Sequence, residues 1–586
     1  MRQWMVAAKK ADFYAIAEKF HVDPVVARII RNREVIGEKN IRIYLGGNLS
    51  DLSDPHQMKD MDRLVEILAQ KIRKQVHIRI IGDYDVDGVT SSHLFLTALR
   101  RVGAKVDVVI PHRIQDGYGL SLHLLQQAKE DGVDTILTCD NGIAAIDEIA
   151  WAKAQKMTVL VTDHHAVPFE EHEGRRTEKK SLADAVVNPH QQDCWYPYKE
   201  LCGAGVAWNV IRVLYENYDM DKREAEDLLD FVAMATVCDV MSLTGENRIL
   251  VKEGLKRIRH TKNIGLQALM QACNVQPENI SAYHFGYVLG PCVNATGRLD
   301  TARHALRLFE TGQETEAEEI ARDLVDLNQE RKELTLQGVE MAKKLCEEGG
   351  YENDPVLVLF LPDVHESIAG LIAGRIREMY NRPVFVLTRG EEGVKGSGRS
   401  TENYSMYENM CGCAELFTKF GGHPMAAGLS LPEENVEKFR RKINENCPLT
   451  VEEVCPDIHI DMAMPVGYAS TELVHQFALL EPFGKDNPSP LFADRNLSIS
   501  RMWLIGKNRN VLRMSVLSEY GQPVPVIFFG DVETLFAYFT EKFGQEEVEN
   551  ALHGRKNRIL FSMVYTAKID FYQGNENLQL EMKYYR

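Results

Sequence analysis

Three carboxylates at alternate positions, Asp83, Asp85 and Asp87, follow directly on the apolar run at residues 76–81, within Ile81-Gly82-Asp83-Tyr84-Asp85-Val86-Asp87-Gly88. Carboxylates left close together at the end of a buried strand repel one another and resist ionisation, so this spacing makes sense chiefly around a divalent cation. A solvated Asp/Gly turn is the plainer alternative for the stretch taken alone. Further along, Asp140 and the run Asp163-His164-His165 each follow another short apolar segment, and Asp239 lies near the end of the apolar stretch 228–240. For Asp239 the plainer alternative is a helix-end carboxylate paired with an arginine or a backbone amide. Asp85, Asp87, Asp140, His164 and Asp239 together offer oxygen and imidazole donors without any required thiolate, a set that suits Mn2+ or Mg2+ better than structural zinc. Two such ions can activate water and stabilise the leaving oxygen of a phosphodiester, so hydrolysis of a phosphate ester is the natural chemistry.

Hydrophobic periodicity indicates the scaffold that carries these groups. Short apolar runs at 76–81, 106–110, 135–138, 158–161 and 185–187 alternate with helical segments, which predicts a mostly parallel, doubly wound sheet. In that architecture ligands gather outside the carboxyl ends of the strands, where Asp83, Asp85, Asp87, Asp140 and the Asp163-His164-His165 run would all stand. Residues 1–74 read as a helical lead-in and 75–313 as the first α/β domain. The charged stretch 314–349, with Leu324, Leu327, Leu334, Met341 and Leu345 at helical spacing, reads as a connecting helix. A second α/β domain is expected at 350–452, with strands at 355–360 and 383–387 and Gly-rich turns at 393–400 and 421–423. Residues 457–586 hold five β-rich runs and suit a small barrel of the oligonucleotide-binding type. There Trp503, Lys507, Arg509, Arg513, Phe528, Phe529 and Tyr572 mix aromatic and basic groups as a single-strand stacking platform requires, against the plainer reading of barrel core.

Composition bounds the answer. The 586 residues, 45% of them hydrophobic, exceed one core and imply several domains. Eleven cysteines without a CxxC pair fit reduced thiols in a cytosolic protein. No long uncharged apolar run occurs, so neither export nor a membrane anchor is expected. A net charge of −17 argues against coating nucleic acid by bulk electrostatics, but not against an enzyme with one basic groove.

Gly82-Asp83-Tyr84-Asp85-Val86-Asp87-Gly88, Cys139-Asp140-Asn141-Gly142, Asp163-His164-His165 and Thr236-Val237-Cys238-Asp239 resemble, in order, the four phosphoesterase motifs of the DHH superfamily. Gly421-Gly422-His423-Pro424-Met425-Ala426-Ala427-Gly428 resembles the glycine-histidine motif of the DHH-associated domain. Flanking stretches at Arg113, Asn294-Ala295-Thr296-Gly297-Arg298, Lys395 to Ser400 and Glu481-Pro482-Phe483-Gly484 are similar to those of the RecJ family of single-stranded-DNA-specific 5′→3′ exonucleases. Other DHH phosphoesterases carry a His four residues before the first metal-binding Asp, where this chain has Ile81; that favours the same branch.

The resemblance implies degradation of single-stranded DNA 5′→3′ to mononucleotides in DNA repair and recombination, with two Mn2+ or Mg2+ ions held by Asp85, Asp87, Asp140, His164 and Asp239. It implies His165 beside the scissile phosphate and Asp83 and Asp163 orienting the ligands. It further implies Arg113, Arg298, Ser397, Arg399 and His423 on the substrate, and an oligonucleotide-binding barrel at the C-terminus. Candidate partners are a single-strand-binding protein and a helicase, for a cytoplasmic monomer. The alternatives are a DHH phosphodiesterase acting on cyclic dinucleotides or short oligonucleotides, and an inactive replication scaffold. The barrel argues against the first and the five retained ligand positions against the second.

Overall fold

The computed structural model describes residues 3–112, 119–172, 175–299, 301–351, 353–390, 393–506, 509–572 and 574–586. The chain divides into two compact units, one of residues 52–241 with 249–456, the other of residues 3–51 and 242–248 with 457–586.

The first unit contains two five-stranded sheets and a two-stranded ribbon, Phe169–His172 with Arg175–Glu178. Five parallel strands run in the spatial order Val106–Val109, Ile78–Ile81, Thr135–Cys139, Thr158–Thr162, Ala185–Val187. Every residue of Ile78–Ile81 and Thr135–Cys139 is buried, as strands covered on both faces must be. Register places Ile81 beside Val109 and Thr138, Cys139 beside Thr162, and Thr162 beside Val187. The strands therefore end level, and the loops that leave their C-terminal ends meet at one edge.

The second sheet is mixed, in the order Lys419–His423, Ala426–Leu431, Val394–Arg399, Val384–Arg389, Leu357–Phe360, and only its last pair is parallel. The Gly-rich turn expected at 393–400 is in fact the central strand Val394–Arg399. Glycines normally signal turns, but these serve close packing: a Cβ at Gly398 would lie 2.3 Å from the Met406 sulfur, and one at Gly396 2.4 Å from Leu387. The Gly421-Gly422-His423 segment likewise closes the edge strand Lys419–His423.

The helix Glu314–Glu348 buries a stripe of small residues, among them Ala317, Ala321, Gly338 and Ala342, against its neighbours. Met341, expected on that face, is 41% exposed. The stripe is set by Gly338, over which Ile372 packs.

In the second unit, Phe492–Ile505 pairs with both Val511–Leu517 and Leu560–Tyr572, and so closes a ring that continues through Pro523–Phe528 and Asn575–Tyr585. Closure removes exposed sheet edges. Two helices, Val532–Phe543 and Gln545–Leu552, interrupt the strand succession. Their Leu535, Phe539 and Val548 pack into the barrel core with Phe492, Leu512 and Tyr565, and residues of the N-terminal helices, Val26 and Ile30, join the same core.

Of the expected platform, Trp503 lies under two guanidiniums, Arg501 at 5.6 Å and Arg513 at 6.0 Å, while Phe529 is 59% exposed. Phe528 is not a platform residue; it is buried edge-on against Tyr585, because strand alternation turns it inward. Lys507 and the Tyr572 side chain lie outside the described residues. Among the described residues no helix is long and apolar enough to cross a membrane.

Candidate metal centre

The level strand ends of the parallel sheet deliver Asp83, Asp140 and Asp163 to one edge, and the helix after the strand Ile78–Ile81 supplies two more carboxylates. Asp85 caps that helix, Val86–Arg101, by accepting the Gly88 amide at 3.0 Å, and Asp87 lies in its first turn. Asp87 in turn accepts the backbone amides of Gly203 at 2.6 Å and Ala204 at 2.7 Å, the first residues of the helix Gly203–Asn217. An anion at a helix N-terminus is stabilised by the helix dipole and its unpaired amides. Asp239 stands at the C-terminal end of the helix Leu229–Cys238.

Backbone strain collects here. Asp140 has φ 61° and Val240, immediately after Asp239, has φ 55°. The left-handed region is costly for non-glycine residues and most of all for a β-branched one. At Gly203 a Cβ would come within 2.7 Å of the Asp140 Cβ, so only glycine lets this helix end approach so closely.

The side chains converge. The Nε2 of His164 lies 3.0 Å from Asp140 Oδ1 and 3.6 Å from both Asp87 Oδ2 and Asp239 Oδ2. Donor atoms of Asp87, His164 and Asp239 fall within 4.8 Å of one another, as do those of Asp83, Asp85 and Asp140, and those of Asp140, His164 and His165. Asp83 thus stands within reach of an ion shared with Asp85 and Asp140, and its buried Oδ1 has no hydrogen-bond partner among the described residues.

Electrostatics match that crowding. Burial, then the charge of Asp85, raises the Asp83 carboxyl well above the ordinary carboxylate range. Burial and the charge of Asp87 raise Asp85, and burial with Asp87, Asp85 and Asp239 raises Asp140 well above that range. Asp163 behaves in the opposite way. Burial raises it, but the bond from His165, the charges of both imidazoles and the Ile143 amide together lower the carboxyl; it accepts the amides of Ile143, His164 and His165 together with His165 Nδ1 at 2.8 Å. Burial lowers His165, but the Asp163 bond together with the charges of Asp163, Asp239 and Asp87 pushes it up to about 9. Asp163 therefore fixes the His165 imidazole and the backbone of both histidines.

The donor set fits hard divalent cations. Oxygen and imidazole atoms converge from four chain segments, and the nearby thiols do not compete: burial pushes Cys139 up to about 12 and raises Cys202 and Cys238 further, which keeps them protonated and poor ligands.

The expected substrate residues gather elsewhere in the same unit. Arg298, on the helix Gly290–Leu299, donates to the Ser367 carbonyl at 2.6 Å. Arg399 ends the central strand of the mixed sheet, its guanidinium within 2.9 Å of where a Cβ on Gly370 would stand. Both therefore reach the start of the helix Glu366–Tyr380. Ser397 lines an adjoining cavity of about 430 Å3 with Ser367, Lys395 and Lys419. His423 and Arg399 are both in register with Ala426, on either side of it. Arg113 lies outside the described residues.

Sequence reading gave no role to Asn188, to Asn294 beyond its place in a resembling stretch, or to the Gly203-Ala204 amides. Asn188 follows the last parallel strand, Ala185–Val187, and donates to the His165 carbonyl at 2.9 Å. Asn294 accepts the Val86 amide at 3.2 Å and so braces the acidic loop. The Gly203-Ala204 amides grip Asp87. The strand-end rule that found Asp140 points equally to Asn188, whereas the other two are long-range contacts without a local signal.

Known proteins share this organisation. Residues 77–236 match the model of the DHH family N-terminal domain, 353–447 that of the DHHA1 domain and 460–584 that of the RecJ OB domain. The single-stranded-DNA-specific exonuclease RecJ of Haemophilus influenzae is 32% identical over 582 residues, covering 96% of this chain and 96% of that protein. RecJ of Bacillus subtilis is 33% identical over 87% of this chain, which spans 63% of that relative's length. The crystal structure of Thermus thermophilus RecJ in complex with Mn2+ superposes with a TM-score of 0.81 at 25% identity, over 100% of this chain and 79% of that one. With this near-full-length identity and all three domains in order, the chain belongs to the RecJ family of DHH phosphoesterases.

Proposed function

We propose that this protein is a metal-dependent exonuclease that degrades single-stranded DNA 5′→3′ to mononucleotides, in DNA repair and recombination. The observation that carries the reading is the convergence of His164 Nε2 on oxygens of Asp87, Asp140 and Asp239 beside the Asp83/Asp85/Asp140 group. Asp85, Asp87, Asp140, His164 and Asp239 would hold two ions, Mn2+ or Mg2+, which supply Lewis-acid stabilisation of phosphate charge and lower the pKa of attacking water. Asp163 would hold the His165 ring in one tautomer through Nδ1 and anchor the His164 backbone, as partners behind metal ligands do. His165, 43% exposed, would meet the scissile phosphate. Arg298, Ser397 and Arg399 gather where a terminal phosphate can be gripped by guanidinium forks, with Arg113 and His423 as further substrate contacts.

The domain division at residues 74, 313, 349 and 452 belongs to the proposal, as do a cytoplasmic monomer and association with a single-strand-binding protein and a helicase. Digestion of 5′- and 3′-end-labelled single strands and of blunt duplex, with Mn2+, Mg2+ or EDTA, tests the reading. Release of mononucleotides from single strands alone, from the 5′ end and only with metal, is expected. Cleavage of a cyclic dinucleotide with single strands left intact would replace it with the small-substrate reading.

A further inference from the structure

A second cavity, of about 690 Å3, opens in the same compact unit, two turns along the helix that Asp85 caps. Its floor is aromatic and hydrogen-bonding. His93 is 5% exposed, its Nδ1 has no hydrogen-bond partner among the described residues, and its ring centroid lies 4.5 Å from Phe231 and 5.8 Å from Phe309. Burial lowers this imidazole to about 3, so it is neutral. Beside it the Thr261 hydroxyl donates to Asp230 Oδ2 at 2.6 Å. An unsatisfied buried nitrogen costs free energy that a hydrogen-bonding ligand would recover. The Asp230 carboxylate disfavours an anion at this end and suits the N–H groups of a heterocycle.

The mouth has the opposite character. Arg100, Arg101, Lys256, Arg257 and Lys262 line it. Two of their ion pairs are long: Lys262, 91% exposed, lies 3.8 Å from Asp227, and Arg100 lies 3.4 Å from Glu310. Such pairs are worth little and yield readily to a doubly charged ligand. Each of the five cations is ion-paired, Arg101 with Glu224, Lys256 with Glu253 and Arg257 with Glu226 besides the two above, so a phosphate at the mouth would take over donors now turned to carboxylates. A molecule that is planar and hydrogen-bonding at one end and anionic at the other matches both ends, and the volume is that of a small-molecule site.

The cavity is also wired to the acidic centre. His93 and Arg100 lie on Val86–Arg101, which carries Asp87 in its first turn, and Asp230 and Phe231 begin the helix Leu229–Cys238, which ends at Asp239. We propose that this cavity binds a free nucleoside 5′-monophosphate, base on the His93/Phe231/Phe309 floor and phosphate at the Arg100/Lys262 mouth, and that the bound nucleotide modulates cleavage. The ligand class comes from the cavity's own chemistry; the modulation rests on the exonuclease reading.

Calorimetric titration of dAMP and of deoxyadenosine into the full chain with Mn2+ tests it. In the Arg100→Glu/Lys262→Glu variant, dAMP affinity should fall at least tenfold while deoxyadenosine affinity and the unfolding midpoint stay unchanged. Thr261→Val should weaken both ligands alike. Initial exonuclease rates should respond to dAMP in the wild type and not in the double variant. No binding at millimolar dAMP, or binding lost in Asp140→Ala but retained in the double variant, would overturn the site; rates responding equally in both proteins would overturn the modulation. Binding needs no cleavage, so an inactive enzyme would count against the exonuclease reading alone.

Discussion

Arg248, in the unit that contains the barrel, and Asp140, in the unit that contains the parallel sheet, are both buried charged residues with opposite surroundings. Arg248 is 2% exposed and donates to the carbonyls of Tyr44 at 2.8 Å, Leu480 at 2.9 Å and Leu479 at 2.9 Å, with its guanidinium 4.0 Å over the Tyr44 ring. Its donors are met by the protein itself. Asp140 faces other carboxylates, sits in left-handed backbone, and is pushed up by burial and by four like charges. A buried charge completed by its own chain is structural, whereas a cluster whose charges add up the wrong way is complete only with something else present. The contrast separates residues that hold the fold from residues that wait for a ligand.

The contrast breaks most visibly on the Arg248 side. Arg248→Ala should leave three carbonyls without their donor and a void beside Tyr44, and cost about 3–5 kcal/mol of stability. Urea unfolding of the variant measures this; a loss below about 1 kcal/mol would show that water replaces the guanidinium, and the distinction would fail.

A third buried charge sharpens it. Burial pushes Asp230 up to about 6 from 3.8, against bonds from Thr261 and the Phe231 amide. Because the folded-state value is the higher one, the stability this carboxyl contributes is intact below about pH 3.8 and is lost as pH rises through about 6, after which a constant penalty remains. Asp230→Asn should therefore stabilise the protein at pH 7.5 by up to about 3 kcal/mol and leave it unchanged near pH 4. Unfolding midpoints at the two pH values decide, and equal shifts at both would contradict the assignment.

The acidic centre is legible in the sequence because its logic is local. Apolar runs end in Asp83, Asp140 and Asp163, and parallel register makes those ends level. Contacts that cross the chain leave no such mark. The amides of Gly203 and Ala204 on Asp87, and Arg298 on the Ser367 carbonyl, join residues 116 and 69 positions apart. Glycines mislead where they permit packing instead of turning, as in Val394–Arg399, and Phe528 misleads because aromatic content alone does not say which face of a strand is buried.

A smaller effect concerns the arginines near Ser367. If Arg399 grips a terminal phosphate, Arg399→Ala should erase the preference for 5′-phosphorylated over 5′-hydroxyl strands, roughly tenfold in initial rate, while metal affinity is unchanged. An equal loss on both substrates would make Arg399 a brace for the helix Glu366–Tyr380 instead.

Whether divalent metal completes the carboxylate cluster can be decided by a single titration. Calorimetric addition of Mn2+ to the wild-type chain and to Asp140→Ala, with single-strand cleavage measured on the same samples, should show two ions bound by the wild type. The variant should bind metal far more weakly, cleave about 10³-fold more slowly and, without metal, be at least as stable as the wild type, since one repelling carboxylate is gone. An Asp140→Ala protein that binds Mn2+ like the wild type and cleaves at near wild-type rate would contradict a metal-completed centre.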